Sequence, residues 1–196
     1  MNNLIITPMD AQRFPLLEME SQPCGLPLSD EDAEVVGYMD AALTDLGAGA
    51  VGLAAIQIGY PKRIFMLRVG DENRVFINPR IISQGGGLQK RGEACLSLPN
   101  FGVRIPRHKQ VEIEYFNIAG DSCTEKFTGL LAQAVFHEMD HLNGVLLSHH
   151  LESIATKQAP RTKWGMKLTP HRLNVIANRR KKNKAAKAAR KRQRQT

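Results

Sequence analysis

Cysteine is scarce: Cys24, Cys95 and Cys123 are the three in 196 residues. They are too few and too unevenly spaced for a disulfide framework, so a reducing, cytoplasmic setting is expected. An organelle or the cytoplasm of a phage-infected host is the alternative setting. No apolar run reaches 18 residues, which excludes a transmembrane helix and leaves no expected membrane role. The segment Met1–Thr7 lacks a basic n-region and a long apolar core, so neither a secretory signal nor an Arg-rich transit peptide is expected. Acidic residues are missing from 161–196, where 14 of the 27 Lys/Arg fall. The other 160 residues therefore hold 13 basic against 19 acidic groups, a net of −6 under the formal +8. An acidic body carries a basic extension, and the two call for separate arguments. No aromatic follows Trp164, so base stacking by the extension is not expected, and attraction to a phosphate backbone is the more physical option.

What the chain does have is His137-Glu138-Met139-Asp140-His141, an H-E-x-x-H pattern. Residues four apart share a helix face, so both imidazoles can meet one metal ion. Glu138 then stands where a general base for an activated water is needed. The surrounding stretch, Gly129 to Leu142, is Leu/Ala-rich and free of internal Pro and Gly. Thr128 can cap its start and Asn143-Gly144 can stop it. Leu131, Val135, Met139 and Leu142 form an apolar stripe, which predicts a helix set deep in a core. The plainer alternative is a helix with two solvated histidines.

Further upstream, Ser29 and Asp32 resemble a capping box, and Val35, Val36, Met39, Ala42, Leu43 and Leu46 follow at helical spacing. An amphipathic helix is expected over 30–46. Gly49 to Gln57 is small and apolar, suited to close backbone approach. Ile64–Leu67 and Val75–Ile77 read as strands joined by a turn at Gly70–Asn73. Gly85-Gly86-Gly87 reads as a loop. Val111, Ile113 and Tyr115 alternate with glutamates in a half-buried strand, and Ala119–Asp121 turns into a partner at Cys123–Phe127. Short strand connections favour an α+β fold with antiparallel strands packed around the central H-E-x-x-H helix. The expected organisation is a catalytic domain of residues 1–160 and a basic C-terminal tail of 161–196, disordered or partly helical.

Two histidines do not complete a metal site. A downstream His at the metzincin spacing is replaced by Leu147; Glu152 follows His141 closely; Cys95 lies upstream in Glu93-Ala94-Cys95-Leu96-Ser97. These options stay open on spacing alone. Three segments together resemble the peptide deformylase family: Ala50-Val51-Gly52-Leu53-Ala54-Ala55-Ile56-Gln57 for G-x-G-Φ-A-A-x-Q, the Glu93–Ser97 segment for E-G-C-L-S, and Phe136–His141 for Q-H-E-x-D-H. They stand in the family's order, within a resemblance over about residues 4–150.

The resemblance implies that Cys95, His137 and His141 ligate one divalent ion, Fe(II) first, with Zn, Ni or Co as alternatives. It implies Glu138 as general acid/base, and Gln57 with the Leu96 backbone N–H as oxyanion donors. Gly52 and Ala94 would lie along the bound peptide backbone. The implied reaction removes the formyl group from the N-terminal methionine of nascent polypeptides. The basic tail either reaches the ribosome through its RNA or stays solvated with no specific partner, and a monomer is expected. Three positions depart from the family pattern: Ala50 and Ala94 replace glycines, and Phe136 replaces glutamine. A positive φ at Ala94 would carry strain, and Phe136 would add apolar bulk near the site. Leu130, Gln133 and Ala134 could line a methionine pocket or pack in the core, and Asp140 is expected to orient a ligand. Competing classes are a different H-E-x-x-H peptidase and a non-catalytic RNA-binding relative.

Overall fold

Ile64-Phe65-Met66-Leu67 is apolar at every position because both faces of its strand are covered. In this computed structural model, which describes residues 4–151, the strand runs Ile64–Val69 and lies inside a five-stranded antiparallel sheet. In chain order the strands are β1 (Gly52–Ala54), β2 (Ile64–Val69), β3 (Glu72–Cys95), β4 (Leu98–Phe116) and β5 (Ser122–Thr128). They pair in that same order as an uninterrupted meander. Successive side chains alternate between faces. Phe65 and Leu67 join a core with Phe76, Val111, Ile113, Tyr115, Phe127, Val135 and Met139. Ile64 and Met66 join a second core with Val35, Met39, Leu43, Leu53 and Ile58.

Each core is closed by one helix. α1 (Asp30–Asp45) sets Val35, Met39 and Leu43 into the second core. Its first turn is capped by Ser29, whose Oγ accepts from the Asp32 backbone N–H at 3.1 Å. The Asp32 carboxylate does not reach back as in a capping box. It accepts from the Ser29 hydroxyl at 2.9 Å and pairs with Lys62 at 3.6 Å. The helix stops one residue short of the expected 46, with Leu46 as its C-cap. α2 (Gly129–Leu142) packs against β1, β2, β4 and β5. The first core is organised by Phe76, stacked on Phe65 at 4.8 Å and in contact with the Tyr115 and Phe127 rings at 4.5 and 5.7 Å.

Two expectations need correction. Gly85–Gly87 is not a loop but part of β3. Gly86 and Gly87 both have φ of +73°, which side chains disfavour, and the register slips between Gly85 and Leu88. The glycines build a bulge that bends a long strand without ending it. The β2–β3 turn is also tighter than Gly70–Asn73: Glu72 already pairs with Val69, and Asn73 with Arg68.

The long β3–β4 hairpin matters most for the site. It closes at Cys95 and Leu98 through the two residues Leu96 and Ser97. The far end of α2 is fastened to the N-terminal segment. Ser21 N–H donates to the Leu142 carbonyl at 2.9 Å, and Arg63 Nη1 donates to Asn143 Oδ1 at 3.0 Å. Gly144 must be glycine here, since a Cβ would lie 2.4 Å from the Glu18 carbonyl oxygen. This first unit runs to Leu147, and Ser148–Leu151 begin a second. The expected division at residue 160 and the basic tail 161–196 lie outside the described residues. Among the described residues no helix is long and apolar enough to cross a membrane.

Candidate metal centre

Helical spacing puts His137 and His141 on one face of α2, with ring centroids 5.0 Å apart. The β3–β4 hairpin delivers Cys95 to the same place, its Sγ 3.2 Å from His141 Nε2. One ligand atom from each of Cys95, His137 and His141 lies within 4.8 Å of the others. A thiol and two imidazoles that close, all largely buried, suit one first-row divalent ion with a position left open.

The electrostatics favour a cation. Burial opposes a charge on His137, yet hydrogen bonds to Cys95 and Glu93, with the Glu138 charge, outweigh it and push its pKa up to about 10. Acceptors and acids around His137 thus favour a positive charge beside that ring. His141 is pushed down to about 3, first by burial and then by His137, and so presents a neutral ring suited to ligation. Glu138 is pushed up to about 7, chiefly by burial, with Asp140 and Glu93 adding to the effect and His137 opposing it. Its Oε2 is buried without a hydrogen-bond partner among the described residues. That orphaned oxygen, beside three converging donors, fits a bound ion with a water.

Two elements fix what surrounds Glu138 and Cys95. β1 passes so near α2 that a Cβ on Gly52 would sit 2.4 Å from Glu138 Oε1 and 2.8 Å from Leu67 Cδ2. Gly52 is thus a close-approach glycine. A 3-10 turn at Ala55–Ile58 buries Gln57. Its Oε1 accepts from Ala54 N–H at 2.9 Å, which fixes the amide orientation. Its Nε2 then donates to Ser97 Oγ at 3.1 Å and faces Cys95 Sγ at 3.8 Å. Leu96 stands in the two-residue turn beside them.

These groups share a cavity of about 310 Å³. Gly52, Gln57, Ala94, Cys95, Leu96, His137 and Glu138 line one part of it. Leu130, Gln133 and Ala134 line it as well; Ala134 also belongs to the first core, whereas Leu130 is half exposed. The three departures from the family pattern turn out to be mild. Ala94 is outside the left-handed region, where among the described non-glycine residues only Asn78 and Asn100 are found, so it carries no such strain. Ala50 is buried against the second core with extended backbone. Phe136 is buried in the first core and is not part of the cavity wall, so its bulk does not reach the site.

The sequence reading missed the support of His137. Glu93 Oε2 lies 3.3 Å from His137 Nδ1, and both Glu93 oxygens accept from Arg107, at 2.9 and 3.0 Å. Arg107 Nη2 also pairs with Asp140 Oδ2 at 2.8 Å. Burial opposes ionisation of Glu93, but His137 and Arg107 outweigh it and hold its carboxyl below its ordinary value. Engaging Nδ1 leaves the other His137 nitrogen for an ion. Asp140 is thus linked to His137 through Arg107 and Glu93. Glu93 was visible as a neighbour of Cys95. Arg107 gave no signal, since nothing in the sequence sets it apart from its basic neighbours Arg104 and Lys109.

A family model described as polypeptide deformylase matches residues 9–157. The peptide deformylase of Phenylobacterium zucineum is 38% identical over 151 residues, covering 74% of this chain and 87% of that protein. That of Agrobacterium fabrum is 34% identical over 157 residues, covering 77% and 90%. Among solved structures, the peptide deformylase of Thermotoga maritima superposes with a TM-score of 0.67 at 31% identity, covering 74% of this chain and 95% of that one.

Proposed function

The chain belongs to the polypeptide deformylase family and is a hydrolase that removes the N-formyl group from newly synthesised polypeptides, and on that premise we propose which residues do the work. Cys95, His137 and His141 hold one divalent ion, with iron(II) the first choice and zinc, nickel or cobalt the alternatives. When bound, such an ion supplies Lewis acidity, lowering the pKa of water and polarising a carbonyl.

Glu138 is the general acid/base. Buried beside the three donors with one oxygen unpartnered among the described residues, it can take a proton from the attacking water and return it to the departing amine. The C–N bond of the formamide breaks, the water oxygen goes to the formyl carbon, and formate and a free amine leave. The developing oxyanion is shared by the Gln57 carboxamide N–H and the Leu96 backbone N–H. Gln57 serves because Ala54 holds its oxygen and turns its nitrogen toward Cys95. Gly52 and Ala94 flank the cavity and guide the peptide backbone. Glu93, held by Arg107, fixes the tautomer and ring orientation of His137.

The observation that carries this reading is the convergence of one sulfur and two imidazole nitrogens within 4.8 Å, beside an unpartnered buried carboxyl oxygen. Metal analysis paired with a formate assay tests it. Protein loaded anaerobically with iron(II) should bind one ion per chain and release formate from formyl-Met peptides. The Cys95→Ser variant should lose most of both. Full metal content and activity in that variant would sink the proposed ligand set.

Residues 161–196 form the basic extension of a catalytic domain spanning 1–160. Its 14 positive charges without an acid suit ribosomal RNA through phosphate attraction. Deleting 178–196 should abolish a steeply salt-sensitive co-sedimentation with ribosomes. Unchanged co-sedimentation would argue for a tail with no such partner. The free thiols of Cys24, Cys95 and Cys123 suit a reducing cytoplasm, where we propose that the chain acts as a monomer.

A further inference from the structure

Gln133 is a polar residue in a place where packing alone would favour an apolar one. It sits one turn before His137 on α2, and only 6% of it is exposed. Both residues line the same cavity. Its Nε2 donates to the Gly92 carbonyl at 3.0 Å, tying α2 to β3. This bond fixes which end of the carboxamide is oxygen. Oε1 is left buried, with no hydrogen-bond partner among the described residues. Leu130, Ala134 and Val51 line the same cavity with apolar groups. Outside the proposed reaction centre of Gln57, Glu93, Cys95, His137 and Glu138, Gln133 is thus the one polar side chain among the described residues lining the cavity.

Accepting the proposed site, the formyl carbon lies at Glu138 and Cys95. The side chain of the first residue then falls into the rest of the cavity, toward Leu130, Gln133 and Ala134. We propose that Gln133 is a specificity-determining residue: its carboxamide oxygen accepts a hydrogen bond from the first side chain. The cavity therefore admits formyl peptides whose first side chain ends in an N–H donor, at methionine's length. Glutamine is the natural side chain of that description. An unpartnered buried acceptor destabilises the empty site, and a donor that reaches it recovers that loss. A wholly apolar wall would instead reject glutamine, which would bury its own amide unpaired.

The inference rests on the deformylase reading and can fail separately from it. The probes are three peptides, formyl-Met-Ala-Ser, formyl-norleucine-Ala-Ser and formyl-Gln-Ala-Ser, assayed for formate with the iron-loaded full chain. The full chain should process the formyl-Gln peptide with a kcat/KM within about tenfold of the formyl-norleucine peptide. The Gln133→Leu variant should lower the Gln-to-norleucine ratio at least about tenfold, the worth of one hydrogen bond. If Gln133 merely ties α2 to Gly92, the variant lowers all three peptides together and the ratio stays put, which overturns the proposal. Rejection of formyl-Gln by the unaltered protein, by more than about a hundredfold against norleucine, overturns it without any variant. In both cases turnover of the formyl-Met peptide leaves the deformylase reading standing. Failure to release formate from any of the three overturns both.

Discussion

Gly52 is the residue at which strand and helix press most directly on the chemistry. Its missing Cβ leaves room for Glu138 Oε1, only 2.4 Å from where that atom would stand. Gly52→Ala should displace Glu138 and cost about 1–3 kcal/mol of stability through overpacking. Formate release should fall more than metal content does, because the ligands lie elsewhere. A variant with unchanged kcat would show that Glu138 moves without consequence. Arg107 is the opposite case, a buried charge that holds two acids. Arg107→Met takes the guanidinium away from Glu93 and Asp140 and should destabilise the protein by about 3–5 kcal/mol. Metal affinity should drop about 10–100-fold as His137 loses its brace. Denaturant unfolding and metal competition would read the two effects independently. The ligand and base positions were legible because their chemistry needs fixed residue types at fixed spacing. Arg107 was not, because nothing in a strand of alternating basic residues tells which guanidinium turns inward. Nor did Phe136 reveal its direction: one position along a helix turns a side chain by about 100°, from cavity to core.

At the scale of elements, Phe76 and the β3–β4 hairpin carry the argument. Phe76 is wholly buried among three aromatic rings. Phe76→Ala should cost about 3–5 kcal/mol, seen as a lower denaturation midpoint, and a loss under 1 kcal/mol would contradict this packing. On the same sheet Arg74 lies with its guanidinium 5.5 Å from the Phe76 ring centre and pairs with Glu125. The hydrogen bond from Arg74 holds the Glu125 carboxyl below its ordinary 4.5. Because the folded pKa is the lower one, the stabilisation is present above pH 4.5 and is lost as pH falls through the folded value. The stability difference between the protein and its Glu125→Gln variant should therefore shrink in acid. A difference that holds constant from pH 7 to pH 3 would refute the coupling. α1 was legible from its helical periodicity, β2 from an unbroken apolar run, and β5 from the turn that precedes it. The full lengths of β3 and β4 were not. Much of that hairpin is exposed, so its apolar alternation fades, and the glycine bulge at Gly85–Gly87 imitates a loop. β1 was hidden by its three-residue length, although the small residues around it did signal close backbone approach.

For the whole molecule, a sheet sandwiched between two cores holds three distant segments at one point. β1 and its following turn supply Gly52 and Gln57, the hairpin tip supplies Cys95 and Leu96, and α2 supplies His137, Glu138 and His141. That α+β, antiparallel organisation followed from the short connections in the sequence, whereas the joining of the segments rested on family resemblance. Spacing alone had left Cys95 and Glu152 both open as the third ligand. The account's central claim is that Glu138 moves the proton at a centre held by Cys95, His137 and His141. The most direct test compares formate release from a formyl-Met peptide by the iron-loaded protein and its Glu138→Gln variant at equal metal content. The account predicts that kcat falls by about 10²–10⁴-fold while the metal is retained. A variant that keeps its metal and releases formate at the original rate would contradict it.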